Sequence, residues 1–311
     1  MKVVITPRGF ARYGLQEITK MEKEGFEVDY NDTGKQYSHE EFLQHIQDTD
    51  AIIVGVDRLD AETLAQCPQL KVICKFGVGV DNIDLSYAEK HGIVVKRCIG
   101  TNSRAVAEHV LAMIFDHAKN LTTSINEVRD GHWNKRTGSE VAGKSLGILG
   151  FGRIGKYLAQ YAKGLQMQVY VSDAVEIDPE EALKYGVCVE DADKLFEHCD
   201  YVSIHVPLTE ETRGLVSKSL LSTMEKDSCL INTARGELVD QEALLEALEK
   251  GVIEAAYFDV FDPEPPQEES PLLRCPNFYL TPHVAARTEE SEKRTCIRST
   301  ELIIKNLKAV Q

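Results

Sequence analysis

Short apolar runs alternate with amphipathic segments along almost the whole chain. This alternation is typical of parallel sheets that are covered by helices. The segments between the apolar runs carry apolar residues at helical spacing, as in 38–47 and 61–66. The strands predicted in the first part of the chain are Lys2–Thr6, Phe26–Tyr30, Ala51–Gly55, Lys71–Lys75 and Ile93–Lys96.

A long helix predicted over 103–120 interrupts this alternation, because no strand precedes it. A second helical stretch, 121–130, follows it, and a new α/β series then begins. The helix predicted over 241–250 has Asp240 as its N-cap and Gly251 just past its end. The strands predicted in this second series are Lys144–Gly150, Gln168–Asp173, Tyr201–Val206, Ser228–Thr233, Ala255–Phe261 and Phe278–Thr281.

The last predicted helix, roughly 289–310, has no strand after it, so we expect it to pack on the first series of strands. The first domain would then be discontinuous, made of residues 1–99 and 287–311, with residues 100–286 inserted as a second domain. A length of 311 residues also favours two domains. The expected fold class is α/β with two doubly wound parallel sheets, one flavodoxin-like and the inserted one a Rossmann domain.

The charge and the cysteines exclude several functional classes. The chain carries 35 Lys and Arg against 50 Asp and Glu, a net charge of −15, so we expect no nucleic-acid or membrane partner. No apolar stretch approaches the ~20 residues that span a bilayer, and the N-terminus lacks the apolar core of a signal peptide. The 8 cysteines include no CxxC pair and no metal-ligand cluster. We therefore expect a cytoplasmic, metal-free protein with reduced thiols.

The segment Gly150-Phe151-Gly152-Arg153-Ile154-Gly155 follows a buried-strand run and opens a predicted helix. This is the context of a dinucleotide fingerprint, in which the glycines allow a tight turn and close approach to the pyrophosphate. Asp173 ends the next strand, about 20 residues on, where a carboxylate binds the ribose 2′-hydroxyl. A carboxylate there would repel a 2′-phosphate, so NAD is favoured over NADP. The alternatives are a turn without a ligand, a flavin site or an adenosylmethionine site.

Three charged residues, Arg235, Glu264 and His283, each follow an apolar run of the second series. Open α/β sheets bind ligands at the carboxyl ends of their strands, so we expect these side chains to share a site. An imidazole can take up or return a hydroxyl proton, and a neighbouring carboxylate would orient it. The guanidinium fork can bind a carboxylate and polarise a carbonyl. Beside a nicotinamide the set would interconvert a 2-hydroxy acid and a 2-oxo acid, although each residue alone could be structural.

These segments resemble the D-isomer-specific 2-hydroxyacid dehydrogenase family, and most closely its phosphoglycerate dehydrogenase branch. The resemblance covers nearly the whole chain. It implies two α/β domains, NAD(H)-linked hydride transfer with a small 2-hydroxy or 2-oxo acid, and a homodimer through the helix near 103–120. The other motifs that carry the resemblance are Lys75–Asp84 (KFGVGVDNID), Gly100–Ser103, Val106–His109 and His205–Thr209 (HVPLT).

The resemblance also implies roles for individual residues. His283 would be the acid/base, Glu264 its partner, and Arg235 the group that holds the carboxylate and carbonyl of the substrate. Asp259 would lie near the nicotinamide carboxamide, and Val78 and Gly79 would bind the substrate carboxylate through their backbone N–H groups. The other residues implied in binding are His205, Pro207 and Thr233 for the cofactor and Lys75 for the substrate.

Several positions depart from the usual family pattern and leave the substrate open. Lys96 and Arg97 stand where many members have a proline-containing stretch, and Arg287 lies close to His283 in the sequence. These cations could bind a phosphate of the substrate or cofactor, or they could be solvated. Arg58 could meet a distal anion of the substrate. The first candidate substrate is 3-phosphoglycerate, in serine biosynthesis; the alternatives are hydroxypyruvate, glyoxylate or a sugar acid, or a non-catalytic NADH sensor like the corepressors of this fold.

Overall fold

The computed structural model describes residues 1–310, which fold into two compact units. One unit comprises Met1–Asn102 and the chain from Arg287 onward, and the other comprises Ser103–Ala286. The strands are β1 Lys2–Ile5, β2 Glu27–Tyr30, β3 Ala51–Val54, β4 Val72–Lys75, β5 Val94–Arg97, β6 Ser145–Leu149, β7 Gln168–Ser172, β8 Cys188–Val189, β9 Tyr201–Ile204, β10 Cys229–Asn232, β11 Ala255–Phe258 and β12 Phe278–Leu280. The helices are α1 Phe10–Tyr13, α2 Leu15–Lys23, α3 His39–Ile46, α4 Ala61–Ala65, α5 Leu85–Lys90, α6 Ser103–Lys119, α7 Leu121–Arg129, α8 Arg153–Gly164, α9 Pro179–Tyr185, α10 Ala192–His198, α11 Lys218–Leu221, α12 Gln241–Glu249, α13 Pro271–Arg274 and α14 Glu289–Ala309.

The first unit is built on a 5-stranded parallel sheet in the order β2-β1-β3-β4-β5, which is the flavodoxin-like order. Successive residues of a strand point to opposite faces of the sheet. Val3 and Ile5 accordingly join one apolar cluster and Val4 joins the other. The inner strands β1, β3 and β4 are buried on both faces and are apolar almost throughout, whereas the edge strands β2 and β5 are only partly buried and carry charged residues.

Helix α14 forms part of the layer on one face of this sheet. Its residues Cys296, Ile303 and Leu307 are fully buried in the cluster that also contains Val3. Thr288 caps the helix by accepting a hydrogen bond from the backbone N–H of Ser291. The end of the chain thus completes the core of the unit in which the chain begins.

The second unit contains a 7-stranded parallel sheet in the order β12-β11-β10-β9-β6-β7-β8. The strand order reverses between β6 and β9, and such a switch point is where Rossmann sheets bind dinucleotides. Helices α6 and α8 pack on one face, and α10 and α12 contribute to the apolar cluster on the other. The predicted fold class, two doubly wound parallel sheets, is confirmed.

Most predicted strands and helices end within a residue or two of the observed bounds. The strand predicted over Ala255–Phe261 ends earlier, at Phe258, because the chain then turns and the N–H of Phe261 donates to Glu264. Strand β8 was missed because it has 2 residues, both exposed, and no apolar run. Asp240 caps α12 as predicted by accepting hydrogen bonds from N–H groups of its first turn. Within residues 1–310, none of the helices has the length and apolarity of a membrane span.

Candidate active site

The turn after β6 holds the predicted dinucleotide fingerprint. Gly150 has φ +102°, a backbone conformation that favours glycine. A Cβ atom at Gly150 would lie 2.7 Å from the carbonyl carbon of His205, and one at Gly155 would lie 2.4 Å from the carbonyl oxygen of Gly150. Any side chain at these two positions would therefore force the turn away from its neighbours.

Gly152, the N-cap residue of α8, faces open space, since a Cβ atom there would meet nothing within 4 Å. No side chain caps this helix, so its first-turn N–H groups are available to an anion such as a pyrophosphate. Asp173 lies just past β7 and accepts hydrogen bonds from the backbone N–H of Phe151 at 2.6 Å and of Val175 at 2.9 Å. The carboxylate predicted to bind the ribose is thus held against the fingerprint turn.

Two buried polar atoms at the ends of β9 and β10, Nδ1 of His205 and Oγ1 of Thr233, have no hydrogen-bond partner among residues 1–310. The other ring nitrogen of His205 lies 2.9 Å from Oγ of Ser203. Burial lowers the pKa of His205 to about 3, so the ring is neutral near pH 7. A buried polar group without a partner costs about 1–3 kcal/mol. A dinucleotide, which is rich in donors and acceptors, fits this edge of the sheet.

The remaining residues predicted to bind the cofactor lie along the same edge. Arg153 is exposed at the first position of α8, and Ile154 beside it is half-buried. Pro207 is exposed shortly after β9, and Asp259 is buried immediately after β11. Each of these residues follows the carboxyl end of a strand, where open α/β sheets bind their ligands.

Arg235 and Glu264 lie in loops that follow the adjacent strands β10 and β11. Asn232 shapes the first loop, because its side chain donates to the carbonyl of Arg235 at 2.8 Å and accepts from an N–H two residues on at 3.0 Å. A Cβ atom at Gly236 would lie 2.3 Å from the carbonyl carbon of Phe261. Glycine at this position lets the two loops touch, and the contact brings Arg235 and Glu264 to one place.

Glu264 and His283 form a hydrogen-bonded pair, with Oε2 and Nδ1 2.8 Å apart. The other carboxylate oxygen of Glu264 accepts from the N–H of Phe261 at 3.0 Å. An ionised carboxylate only accepts hydrogen bonds, so Nδ1 of His283 carries a proton and Nε2 is left to exchange one. Of the side-chain surface, 49% is exposed for His283 and 39% for Glu264. The pair is therefore open to a small molecule.

The electrostatics of the pair favour an ionised carboxylate. Burial raises the pKa of Glu264, but four stabilising contributions outweigh burial and hold that pKa below its ordinary value. They are the hydrogen bond and the charge of His283, the N–H of Phe261 and the positive charge of Arg235. Arg235 thus acts on the pair electrostatically, and the three residues predicted to be catalytic form one cluster.

The backbone of His283 is left-handed, with φ +53°. For a residue with a side chain this conformation costs on the order of 1–3 kcal/mol, and it persists only where the surroundings determine it. The N–H of His283 donates to the carbonyl of Asp259 at 2.9 Å and to that of Thr281 at 3.0 Å. The turn that presents the imidazole is therefore tied to the end of β11.

In the first unit, Lys75 lies at the end of β4, and its ammonium group donates to the carbonyl of Gly55 at 2.5 Å and to Oδ1 of Asn82 at 2.6 Å. Val78 and Gly79 lie in the loop that follows. Their backbone N–H groups donate no hydrogen bond within the described part of the first unit. These N–H groups and the nearby ammonium are donors suited to a small carboxylate.

The other two cations predicted to bind the substrate differ in their environment. Arg58 pairs with Asp60 through Nε at 2.7 Å and keeps 75% of its side chain exposed. Asp57, its neighbour in the loop after β3, accepts a hydrogen bond from Oγ1 of Thr6 at 2.5 Å. Arg97 is the last residue of β5 and is exposed. The loop of Arg58 thus carries negative as well as positive charge.

Two residues beside the turn that presents His283 are absent from the predicted site, and these are Thr281 and His109. Oγ1 of Thr281 is 2.5 Å from Oδ1 of Asp259, and Nε2 of His109 is 3.2 Å from Oγ1 of Thr281. Thr281 could have been suspected because it also follows β12. His109 lies inside a long helix, and nothing in its spacing relates it to β12.

The family model for the NAD binding domain of D-isomer specific 2-hydroxyacid dehydrogenases matches residues 111–285. The chain is 38% identical over 280 residues to a D-3-phosphoglycerate dehydrogenase of Archaeoglobus fulgidus, covering 89% of this chain and 52% of that protein. It is 35% identical over 310 residues to a glyoxylate reductase of Korarchaeum cryptofilum, covering 97% of this chain and 92% of the reductase. The solved structure of the TT0316 protein from Thermus thermophilus has a TM-score of 0.87 and 31% identity, covering 99% of this chain and 97% of that one.

The residues that match the NAD binding domain model lie in the unit that contains the Rossmann sheet, so this unit is the NAD-binding domain of an oxidoreductase family. The chain belongs to the D-isomer specific 2-hydroxyacid dehydrogenase family. It spans about half the length of the phosphoglycerate dehydrogenase and most of the glyoxylate reductase. The prediction of this family is confirmed, and so are the predictions that the chain is an enzyme and that its cofactor is NAD.

Proposed function

We propose that this protein interconverts a D-2-hydroxy acid and the corresponding 2-oxo acid with NAD(H). The observation that carries this proposal is the 2.8 Å hydrogen bond between Nδ1 of His283 and Glu264, which leaves Nε2 to exchange a proton. Bound NAD supplies or accepts the hydride. The unit Ser103–Ala286 is the cofactor domain in this proposal, and the other unit, which carries the N-terminal sheet, is the substrate domain.

Each catalytic residue has a separate task. In the oxidation direction Nε2 of His283 takes the proton of the substrate hydroxyl, and Glu264 stabilises the imidazolium that forms. In the reduction direction the same imidazolium returns the proton to the oxygen that was the carbonyl. Arg235 binds the carboxylate of the substrate and polarises its carbonyl, which suits the planar, bidentate guanidinium.

The loop after β4 supplies the remaining contacts to the substrate carboxylate. The N–H groups of Val78 and Gly79 make no hydrogen bond within the described part of their unit, and Lys75 adds positive charge beside them. An oxyanion gains most from donors that are already oriented. We therefore assign these residues to substrate binding.

The substrate that we favour is an unphosphorylated 2-oxo acid of two or three carbons, glyoxylate or hydroxypyruvate. Arg58 is already paired with Asp60 at 2.7 Å, and Asp57 adds a negative charge to the same loop. That loop would repel a distal phosphate. A relative that matches over most of both chains is a glyoxylate reductase. The alternative is 3-phosphoglycerate in serine biosynthesis, in which Arg97, exposed at the end of β5, would meet the phosphate.

We also propose a cytoplasmic homodimer formed through α6 and the adjoining α7. Leu121, Ile125 and Val128 recur at helical spacing on α7, and each is about half exposed. An apolar helix face of this kind is often covered by a second subunit. Light scattering of the purified protein tests the assembly, and charged residues at Ile125 and Val128 should then give monomers.

The substrate proposal is tested by following NADH oxidation over a panel of 2-oxo acids, with and without a distal phosphate. We expect glyoxylate or hydroxypyruvate to exceed 3-phosphohydroxypyruvate in kcat/KM. A kcat/KM for 3-phosphohydroxypyruvate that is higher by an order of magnitude or more would favour 3-phosphoglycerate as the substrate instead. Replacement His283→Ala should nearly abolish turnover with every acid while NADH affinity stays within about twofold.

A further inference from the structure

The carboxylate of Asp259 is directed at the turn that presents His283. Oδ1 accepts hydrogen bonds from the N–H of Val284 at 2.8 Å and from the hydroxyl of Thr281 at 2.5 Å, and Oδ2 accepts from the N–H of Ala285 at 2.7 Å. The carbonyl of Asp259 accepts from the N–H of His283 itself at 2.9 Å. One residue thus binds the turn on both sides of the imidazole.

Thr281 and His109 extend this network. The hydroxyl of Thr281 has one proton, and its shortest contact is the 2.5 Å bond to Asp259. The oxygen of that hydroxyl must therefore accept from Nε2 of His109, which lies 3.2 Å away. Nε2 also lies 3.7 Å from Oδ1 of Asp259. The direction of donation is fixed along the series from His109 through Thr281 to Asp259.

The left-handed backbone of His283 supplies the reason for such a network. A residue with a side chain adopts φ +53° only where surrounding contacts determine it. The donors that Asp259 gathers come from residues 281–285, which include both flanks of His283. Removing the hydroxyl that completes the Asp259 contacts would leave the turn freer to relax to an ordinary conformation.

We infer that Thr281 and His109 are positioning residues, which act through the Asp259 carboxylate to hold the backbone of His283 and so aim its Nε2. Neither residue exchanges a proton with the substrate. The inference rests on the proposed acid/base role of His283 for its effect on turnover. Its structural part, the orientation of the His283–Glu264 pair, can be measured without turnover.

The test compares Thr281→Val, which keeps the shape of the side chain and removes the hydroxyl, with Thr281→Ser, which keeps the hydroxyl. Long-range 1H–15N spectra of 15N-histidine-labelled protein at about pH 9 report which nitrogen of each neutral imidazole carries the proton. His283 is assigned by the signal that disappears in His283→Gln. A second pair of variants is used if Thr281→Val does not fold. His109→Leu removes the hydrogen-bond donor to Thr281, and His109→Gln keeps a donor at that position.

We expect the wild type and Thr281→Ser to hold the His283 proton on Nδ1, and Thr281→Val to show a mixture of tautomers. In steady-state assays kcat should fall about tenfold or more in Thr281→Val, recover to within about threefold in Thr281→Ser, and leave the KM for NADH within about twofold. The pH profile of kcat should also change in Thr281→Val, because the imidazole of His283 is no longer held in a fixed orientation by Glu264.

The possible failures are distinguishable. If Thr281→Val or His109→Leu folds and keeps the wild-type tautomer of His283, the inference is wrong whatever the activity. A rise in the KM for NADH with unchanged kcat would also overturn it and assign the network to cofactor binding. If the wild type reduces no 2-oxo acid, the proposed function fails, while the tautomer comparison still decides whether the network holds His283.

Discussion

The replacement Glu264→Gln tests the proposed chemistry most directly, because it keeps the size of the side chain and changes what it can accept. The carboxylate of Glu264 accepts one hydrogen bond from His283 at 2.8 Å and another from the N–H of Phe261 at 3.0 Å. A glutamine amide has a single acceptor oxygen beside an NH2 donor. The amide can accept a hydrogen bond from only one of these two donors, and its NH2 group then faces the other donor.

Both orientations of the amide weaken the proposed proton exchange by His283. If its oxygen faces Phe261, its NH2 faces Nδ1 of His283. The neutral ring must then carry its proton on Nε2 so that Nδ1 can accept, and a protonated Nε2 cannot take the proton of the substrate. If the oxygen faces His283, the N–H of Phe261 is left facing a donor, which costs about 1–3 kcal/mol. Replacing the charged acceptor by a neutral one costs about 1 kcal/mol more.

The sum is about 2–4 kcal/mol, which corresponds to about 30- to 1,000-fold in rate, since 1.36 kcal/mol is about tenfold. The half-exposed pair, with 49% and 39% of the two side chains accessible, argues for the lower half of that range. The corresponding substitution in a buried serine-protease triad costs about 10⁴-fold. We therefore expect Glu264→Gln to lose on the order of 10²-fold in kcat.

The assay follows NADH absorbance in both directions with the best acid of the panel. Because the equilibrium constant of the reaction is fixed, kcat/KM for the hydroxy acid and for the oxo acid must fall by the same factor as long as the affinities for NAD and NADH are unchanged. NADH affinity, measured by fluorescence titration, should change less than about twofold, which shows that the cofactor domain is intact. A kcat within threefold of the wild type in the oxidation direction would refute the proposed role of the pair.

Three further predictions concern the cofactor turn and stability. Gly155→Ala should weaken NADH binding at least about tenfold in a fluorescence titration, because its Cβ atom would lie 2.4 Å from the carbonyl of Gly150; unchanged affinity would contradict the close packing. Asp173→Ala should raise the kcat/KM for NADPH relative to NADH by about tenfold, and an unchanged ratio would mean that the carboxylate does not select the cofactor. Burial raises the pKa of Asp200, but hydrogen bonds from Lys144 and Ser145 lower it by more, so this pKa lies below its ordinary value. Asp200→Asn should therefore lower the free energy of unfolding by about 1–3 kcal/mol near pH 7, and denaturant titrations should show that difference shrinking as the pH falls below about 4. A difference that grows in acid would reverse the sign of this reasoning.

The fold could be predicted from the sequence because of how its strands are buried. Strands such as β3 and β11 are covered on both faces, so every residue in them is buried and the run has no charged interruption. Helix α12 is marked by its cap at Asp240. Strand β8 has neither feature and could not be recognised. The principle that parallel sheets gather ligands at their carboxyl ends then led to Arg235, Glu264 and His283.

What the sequence could not provide is the set of contacts that depend on packing between distant segments. His109 meets Thr281 only because α6 packs against the second sheet, and 172 residues separate the two along the chain. The pairing of Arg58 with Asp60 depends on side-chain rotamers, which the spacing of the residues does not determine. The left-handed backbone of His283 has no signal either, since glycine is the residue normally associated with positive φ.

The register of three strands determines most of the geometry of the site. The last residues of β10 and β11, Asn232 and Phe258, lie side by side, and Phe258 in turn lies beside Leu280 at the end of β12. Arg235 and His283 follow their strands at the same distance along the chain. Because a slip of one residue would turn each strand's side chains to the opposite face, the core that fixes the register also fixes where these loops begin. Destabilising the second sheet should therefore impair proton exchange even when no loop residue is changed.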